Sequence, residues 1–130
     1  MAECIFRPIG YPLAIIVPEV LIHDQALEEL TEIINGGGAI AGFRSACKKR
    51  ISFLLDKRRR AVLHNVWFEE LRGTEGLFCM RFDRSYNLPN LRIIYCFNGE
   101  TPYLLVSFIE ERKADYQRAI EKAQQRRASI

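Results

Sequence analysis

Apolar positions along this chain follow a helical period in the first half and alternate in the second. Behind Asp24, Leu27, Leu30 and Ile34 recur at helical spacing, with Asp24 as the capping residue. Asn35-Gly36-Gly37-Gly38 predicts the end of that helix, because glycine readily takes the left-handed backbone used after helix ends. A second stripe, Phe43, Cys47, Ile51, Leu54 and Leu55, predicts a helix over about residues 41–60, with basic residues covering its other faces. Ahead of both, Leu13–Val17 is a compact, largely β-branched run bounded by Pro12 and Pro18 and predicts a short strand.

In the second half, Leu77–Phe82, Leu91–Phe97 and Tyr103–Phe108 predict three strands. The loop Asp83–Asn90 separates the first two, and a turn carrying the hairpin signal Asn98-Gly99 separates the last two. From about Asp115 onward, Tyr116, Ala119, Ile120 and Ala123 share one face of a final helix. The order predicts a single α+β domain over residues 1–130. Its sheet is small, antiparallel or mixed, of about four strands, with two N-terminal helices packed on it and a C-terminal helix, the helices laid on one face.

The central hairpin also predicts a register. With Phe82 opposite Leu91, one face holds Phe82/Leu91, Met80/Ile93 and Phe78/Tyr95. The other face holds Arg81/Arg92, Cys79/Ile94 and Leu77/Cys96. A slip of one residue would mix the two sets, so the parity is well specified, whereas a slip of two would keep the faces. Two arginines directly opposite each other repel, so something anionic is expected to offset them; the alternatives are a nearby carboxylate such as Glu110 or Glu111, or two side chains that splay into water.

Composition narrows the class. A chain of 130 residues with 48% hydrophobic and 27% charged residues fits one globular domain with a core of its own. No apolar run is long enough to cross a bilayer as a helix, and the N-terminus does not read as a signal peptide. Cys4, Cys47, Cys79 and Cys96 show no CxxC pair and no metal spacing, which predicts a reduced, metal-free cytoplasmic protein. The net charge of +3 is unevenly spread: Arg44, Lys48, Lys49, Arg50, Lys57, Arg58, Arg59 and Arg60 crowd residues 44–60, while Glu19 to Glu32 is acidic. That asymmetry predicts an anionic partner or contact between complementary helices, and it is equally a solvated helix face.

Three segments carry a resemblance: FEELRGTEGLFCMRF (68–82), LRIIY (91–95) and LLVSFIEERKADYQRAIEKA (104–123). In this order and spacing they resemble the RelE/HigB-like toxin superfamily, most of all its phage-derived HigB-like branch. The resemblance covers residues 68–127, and the N-terminal strand and two helices agree with it in order only. It implies the toxin component of a type II toxin–antitoxin system, a ribosome-dependent mRNA endoribonuclease. The implied partners are a cognate antitoxin, of helix-turn-helix type, and mRNA on the ribosome; a homodimer stays open, and no membrane is implied. The implied reaction is attack of a ribose 2′-hydroxyl on the adjacent phosphate to leave a 2′,3′-cyclic phosphate, with no metal and no cofactor.

Carried over residue by residue, the resemblance implies that Arg92 binds phosphate. Arg81 matches a basic position of the preceding strand, and Cys79 stands where relatives carry a lysine. Tyr116 matches the tyrosine that opens the last helix, and nearby positive charge would favour its phenolate as a proton acceptor, or its ring as a base-stacking partner; on the apolar stripe of that helix it is equally a core or half-core tyrosine. Lys113 joins Arg81, Arg92 and Tyr116 as the implied catalytic set, and Arg112, Lys48, Lys49, Arg58 and Arg59 are the implied RNA-binding residues. Glu110 and Glu111 depart from the family pattern, which carries basic residues at that point. They would pair with Arg81 and Arg92 and take the place of a phosphate. Two other functions keep the same fold: a non-catalytic nucleic-acid- or partner-binding protein of phage or mobile-element origin, and a gyrase-directed toxin. His23 and His64 titrate near neutrality but have no identifiable proton-transfer partner in the sequence.

Overall fold

The computed structural model describes residues 5–10, 17–37, 40–55, 68–82 and 90–130. In chain order these form β1 (Phe6–Ile9), β2 (Val17–His23), α1 (Asp24–Gly37), α2 (Ile40–Leu55), β3 (Phe68–Glu70), β4 (Phe78–Arg81), β5 (Leu91–Asn98), β6 (Thr101–Ile109) and α3 (Lys113–Arg127). The fold is α+β, and the described residues make three helices and one mixed sheet of six strands, ordered β1-β2-β6-β5-β4-β3. Every neighbouring pair is antiparallel except β2 beside β6, which is parallel.

The sheet is therefore larger than the expected four strands. The additions are β1, four residues containing Pro8, β2, which shares only Val17 with an expected strand, and β3, three residues long; β1 and β3 are too short to show an alternating pattern. The expected strand Leu13–Val17 lies outside the described residues except for Val17, where β2 begins and runs through Pro18. Proline lacks the N–H a ladder needs. The β1–β2 ladder breaks there: Pro8 faces Leu21, but the next residue, Ile9, faces Val17. The end of the second expected helix, residues 56–60, also lies outside the described residues, as do Arg58, Arg59 and His64.

The central hairpin has the expected register, with Phe78 opposite Tyr95, Cys79 opposite Ile94, Met80 opposite Ile93 and Arg81 opposite Arg92. This parity sorts the core into two layers. Met80, Phe82, Leu91, Ile93 and Tyr95 pack with Ala26, Leu30 and Ile34 of α1 and with Cys47, Ile51 and Leu54 of α2. Leu77, Cys79, Ile94 and Cys96 pack with Ala119 and Ala123 of α3. The helices thus cover both faces rather than one, with α3 across the sheet from α1 and α2. A bulge in the β5–β6 ladder follows the pairing of Ile94 with Val106, since Tyr95 then pairs with Leu104. The extra residue lets Leu105 and Val106 both join the α3 layer, while Leu104 stays in the other.

The cap of α1 differs from the expected one. His23 Nδ1 accepts the Gln25 N–H at 3.0 Å, and the Asp24 carboxylate instead meets Arg7 Nε at 2.6 Å. Burial, then the charge of Arg126, holds the His23 imidazole below its usual pKa, in the neutral form that can accept this bond. The two helical layers meet around the outer edge of β6, past the point where β2 stops pairing with it. There Arg126 forks onto Glu29, with both bonds at 2.9 Å, and also donates to the Leu105 carbonyl at 2.8 Å. Glu29 in turn accepts the Ser107 N–H at 3.1 Å. One ion pair therefore occupies two backbone groups that a neighbouring strand would otherwise satisfy.

Candidate functional site

An open cleft of about 810 Å³ lies between the ends of β5 and β6 and the first turns of α3. Its lining includes Arg92, Glu110, Arg112, Lys113, Tyr116 and Gln117. Four of the expected site residues thus come together: Arg92 from β5, Arg112 from the β6–α3 turn, and Lys113 and Tyr116 from α3. Arg81 is not among the described lining residues.

Backbone geometry builds the cleft from two anchors. Glu110 donates its N–H to the Asn90 carbonyl at 2.9 Å, which closes the end of the β5–β6 ladder. Asn90 holds a left-handed backbone, φ 67°, a conformation that asparagine adopts more readily than most residues. Asp115 Oδ2 then accepts the N–H groups of Glu111 and Arg112 at 3.1 and 2.9 Å, and the Asp115 N–H returns to the Arg112 carbonyl. Those two backbone bonds hold the Asp115 carboxyl below its usual pKa, so it stays ionised at the positive end of α3. Asp115 and Asn90 were not singled out by the sequence reading. The spacing Arg112-Lys113-Ala114-Asp115 matches a capping box in its acidic residue three positions into the helix, and that was the available signal.

Arg92 is only 8% exposed. Its Nε lies 3.1 Å from Glu110 Oε2, and its Nη1 donates to the Leu91 carbonyl at 3.1 Å. Arg81 meets a different carboxylate, Glu69 of β3, at 3.5 Å and donates to the Phe68 carbonyl at 3.4 Å. The opposed arginines are thus each offset by a separate acid. Of the two acids expected to serve, Glu110 does so for Arg92, and Glu69 was not foreseen.

Tyr116 forms part of the cleft wall, but its hydroxyl is buried beside the Cys79 thiol, and its ring meets Phe108 edge-on at 5.5 Å. Burial raises its pKa far above the usual phenol range, and Cys79, Glu69 and Glu110 push in the same direction. The expected phenolate is therefore overturned. Desolvation leads and the surrounding acids add to it, so Tyr116 stays neutral. Cys79 is equally unreactive, since burial pushes its thiol up to about 12. Cys47 and Cys96 are also free and buried, at about 12 and about 11.

The remaining basic residues do not join the cleft. Lys48 and Lys49 are exposed on α2, across the sheet from α3. Arg50, counted with the solvated basic face, is 3% exposed; its Nε donates to the Arg81 carbonyl at 2.8 Å and its guanidinium sits 4.5 Å over the Phe82 ring. It fastens α2 to the end of β4. Among the described residues, no helix is long and apolar enough to cross a membrane.

With this geometry in hand, comparison with known proteins adds nothing further: no family model, curated protein or solved structure matches the chain. What the cleft can do follows from its side chains. Two exposed cations at its mouth and one buried guanidinium beside a carboxylate suit an anion with several oxygens, such as a phosphodiester.

Proposed function

We propose that this chain is a RelE/HigB-like toxin that cleaves mRNA on the ribosome in the cytoplasm, with the β5/β6–α3 cleft as its site. The observation that carries the reading is the meeting of Arg92, Arg112, Lys113 and Tyr116 in one cleft, although they come from segments about twenty residues apart in sequence. The order of two helices, four consecutive antiparallel strands and a last helix, behind two N-terminal strands, supports it too. Arg112 and Lys113 hold the scissile phosphate from solvent, and Arg92 stabilises the charge that builds up on it, from a site where little water competes. The Tyr116 ring shapes the wall. A cognate antitoxin would block the cleft.

The test uses ribosomes programmed with a defined mRNA. The wild-type chain is expected to produce fragments ending in a 2′,3′-cyclic phosphate. Lys113→Ala, at an exposed position that leaves the fold intact, is expected to lose activity by about tenfold or more. Intact mRNA with the wild-type chain sinks the reading.

One observation favours a second reading. The Glu110 carboxylate lies 3.1 Å from Arg92 Nε, the position a phosphate oxygen would take. A non-catalytic member of the same fold, binding RNA through Arg112 and Lys113 alone, would show salt-sensitive binding and no cyclic phosphate.

A further inference from the structure

Glu110 has no place in the roles that the resemblance implies, yet it is held in the cleft at two points. Its backbone is tied to Asn90, and its carboxylate is tied to Arg92. We infer that Glu110 is the proton acceptor of the cleavage step: it takes the 2′-hydroxyl proton of the nucleotide whose phosphate is attacked. This rests on the ribonuclease reading above and assigns a residue within that site.

The first support is elimination on the cleft's own side chains. Metal-free transesterification needs one group to accept a proton and another to donate one. Arg92, Arg112 and Lys113 carry no acceptor in their charged forms. Tyr116 is held neutral with its hydroxyl buried. No histidine is among the described lining residues. Among the described lining residues, the ionisable acceptors that remain are Glu110 and Glu111, and Glu111 is exposed.

The second support is placement. Glu110 is partly sheltered, with its side chain 32% exposed, and the Arg92 contact fixes one oxygen beside the group that would bind the phosphate. A base next to the phosphate-binding guanidinium is adjacent to the 2′-oxygen, because that oxygen becomes bonded to the same phosphorus. The positive charges of Arg92, Arg112 and Lys113 offset the repulsion between carboxylate and phosphodiester.

In the step, the 2′-O–H proton passes to a Glu110 oxygen and the 2′-oxygen forms a bond to phosphorus. The bond from phosphorus to the 5′-oxygen breaks, and that oxygen takes a proton from the Lys113 ammonium. The products are a 2′,3′-cyclic phosphate and a 5′-hydroxyl, so atoms and charge balance. Arg92 touches both the base and the phosphate and links the two.

Glu110→Gln keeps the shape and removes the basicity. On programmed ribosomes its single-turnover cleavage is expected to fall by roughly 10²-fold or more, while binding of the same message methylated at the 2′-oxygen holds or tightens. The wild-type rate is expected to fall at acid pH as one group protonates, and the variant to lose that limb. The charged and titratable groups sharing the cleft with Glu110 are Arg92 from β5, Glu111 and Arg112 of the turn, and Lys113 and Tyr116 of α3. Glu110→Asp, a shorter carboxylate, is expected to recover part of the rate and to restore the limb. Cleavage by Glu110→Gln at or above the wild-type rate overturns the assignment and makes Glu110 a counter-ion that competes with phosphate. If the wild-type chain yields no cyclic phosphate at all, the ribonuclease reading falls and the assignment falls with it.

Discussion

The two faces of the sheet are built from alternating residues of the same strands, yet they differ in kind. Under α1 and α2 the face is largely apolar, from Phe68 and Met80 through Ile93 and Tyr95 to Val20 and Ile22, with Ser107 opposite Ile93 as a buried polar side chain. Under α3 it is apolar only around Cys79, Ile94 and Leu105, and it gives way to Arg92, Glu110 and the cleft where α3 begins. One face is closed by two helices and the other by one helix that leaves an end open. On the proposed function, most of the core and the chemistry are thereby separated on opposite sides of a single layer of backbone.

That separation breaks first, if it breaks, at Phe68. This ring is fully buried, stacked on Phe53 at 5.2 Å and edge-on to Tyr95 at 6.2 Å. Phe68→Ala is expected to cost about 3–5 kcal/mol, read as a lower urea midpoint with unchanged slope. Lys113→Ala, on the other side and exposed, is expected to stay within about 0.5 kcal/mol of wild type while lowering the proposed RNA cleavage by about tenfold or more. A large stability loss at Lys113 would show that the cleft is part of the core.

The layers are joined at one edge by Glu29 and Arg126, and a second variant tests that join. Glu29→Ala strands a guanidinium that is 10% exposed and frees the Ser107 N–H, so a loss of about 2 kcal/mol is expected. The double variant with Arg126→Ala is expected to lose less than the sum of the two singles. Lys122, 3.9 Å from Glu29 and half exposed, adds little, and its removal serves as the control.

The parity of β4 and β5 was legible because their alternate residues form two different sets, and a slip of one residue would have put Met80 and Ile93 in the wrong layer. The cationic half of the cleft was legible too, from the order of segments around Arg92, Arg112 and Lys113. What the sequence concealed was pairing across distance. Glu69 meeting Arg81, and Arg50 lying under Phe82 rather than in water, depend on β3 and α2 docking against β4, and no local spacing encodes that. Tyr116 was misjudged for a related reason. Its neighbours in sequence are charged, but its neighbours in space are Phe108 and Cys79. The strand through Pro18 was hidden because proline ordinarily ends a ladder, and here a break in register accommodates it.

Tyr95 gives a smaller test of how dry the α1/α2 face is. Its hydroxyl is buried and makes no hydrogen bond, and burial raises its pKa far above the usual range. Tyr95→Phe removes that orphaned group and keeps the ring contacts, so it is expected to stabilise the fold by about 1 kcal/mol in thermal melts. A loss instead would mean that water reaches this face, and the contrast between the two sides would shrink.

The smallest expected effect lies where the faces meet. His23 is held neutral mainly by burial and next by the charge of Arg126, against the opposing pull of Asp24 and Glu29. Its folded pKa is therefore below the unfolded value of 6.5. The unfolded chain then binds the proton more readily. The stability that His23 contributes is complete above pH 6.5 and is lost as pH falls from there through the folded pKa. In Arg126→Gln the folded pKa is expected to rise toward 6.5, and the acid slope of stability between pH 7 and 5 should flatten. An NMR titration of the imidazole checks the first and urea melts check the second. If the imidazole titrates identically with and without Arg126, then α3 does not reach the cap of α1 electrically, and its charge acts at Glu29 alone.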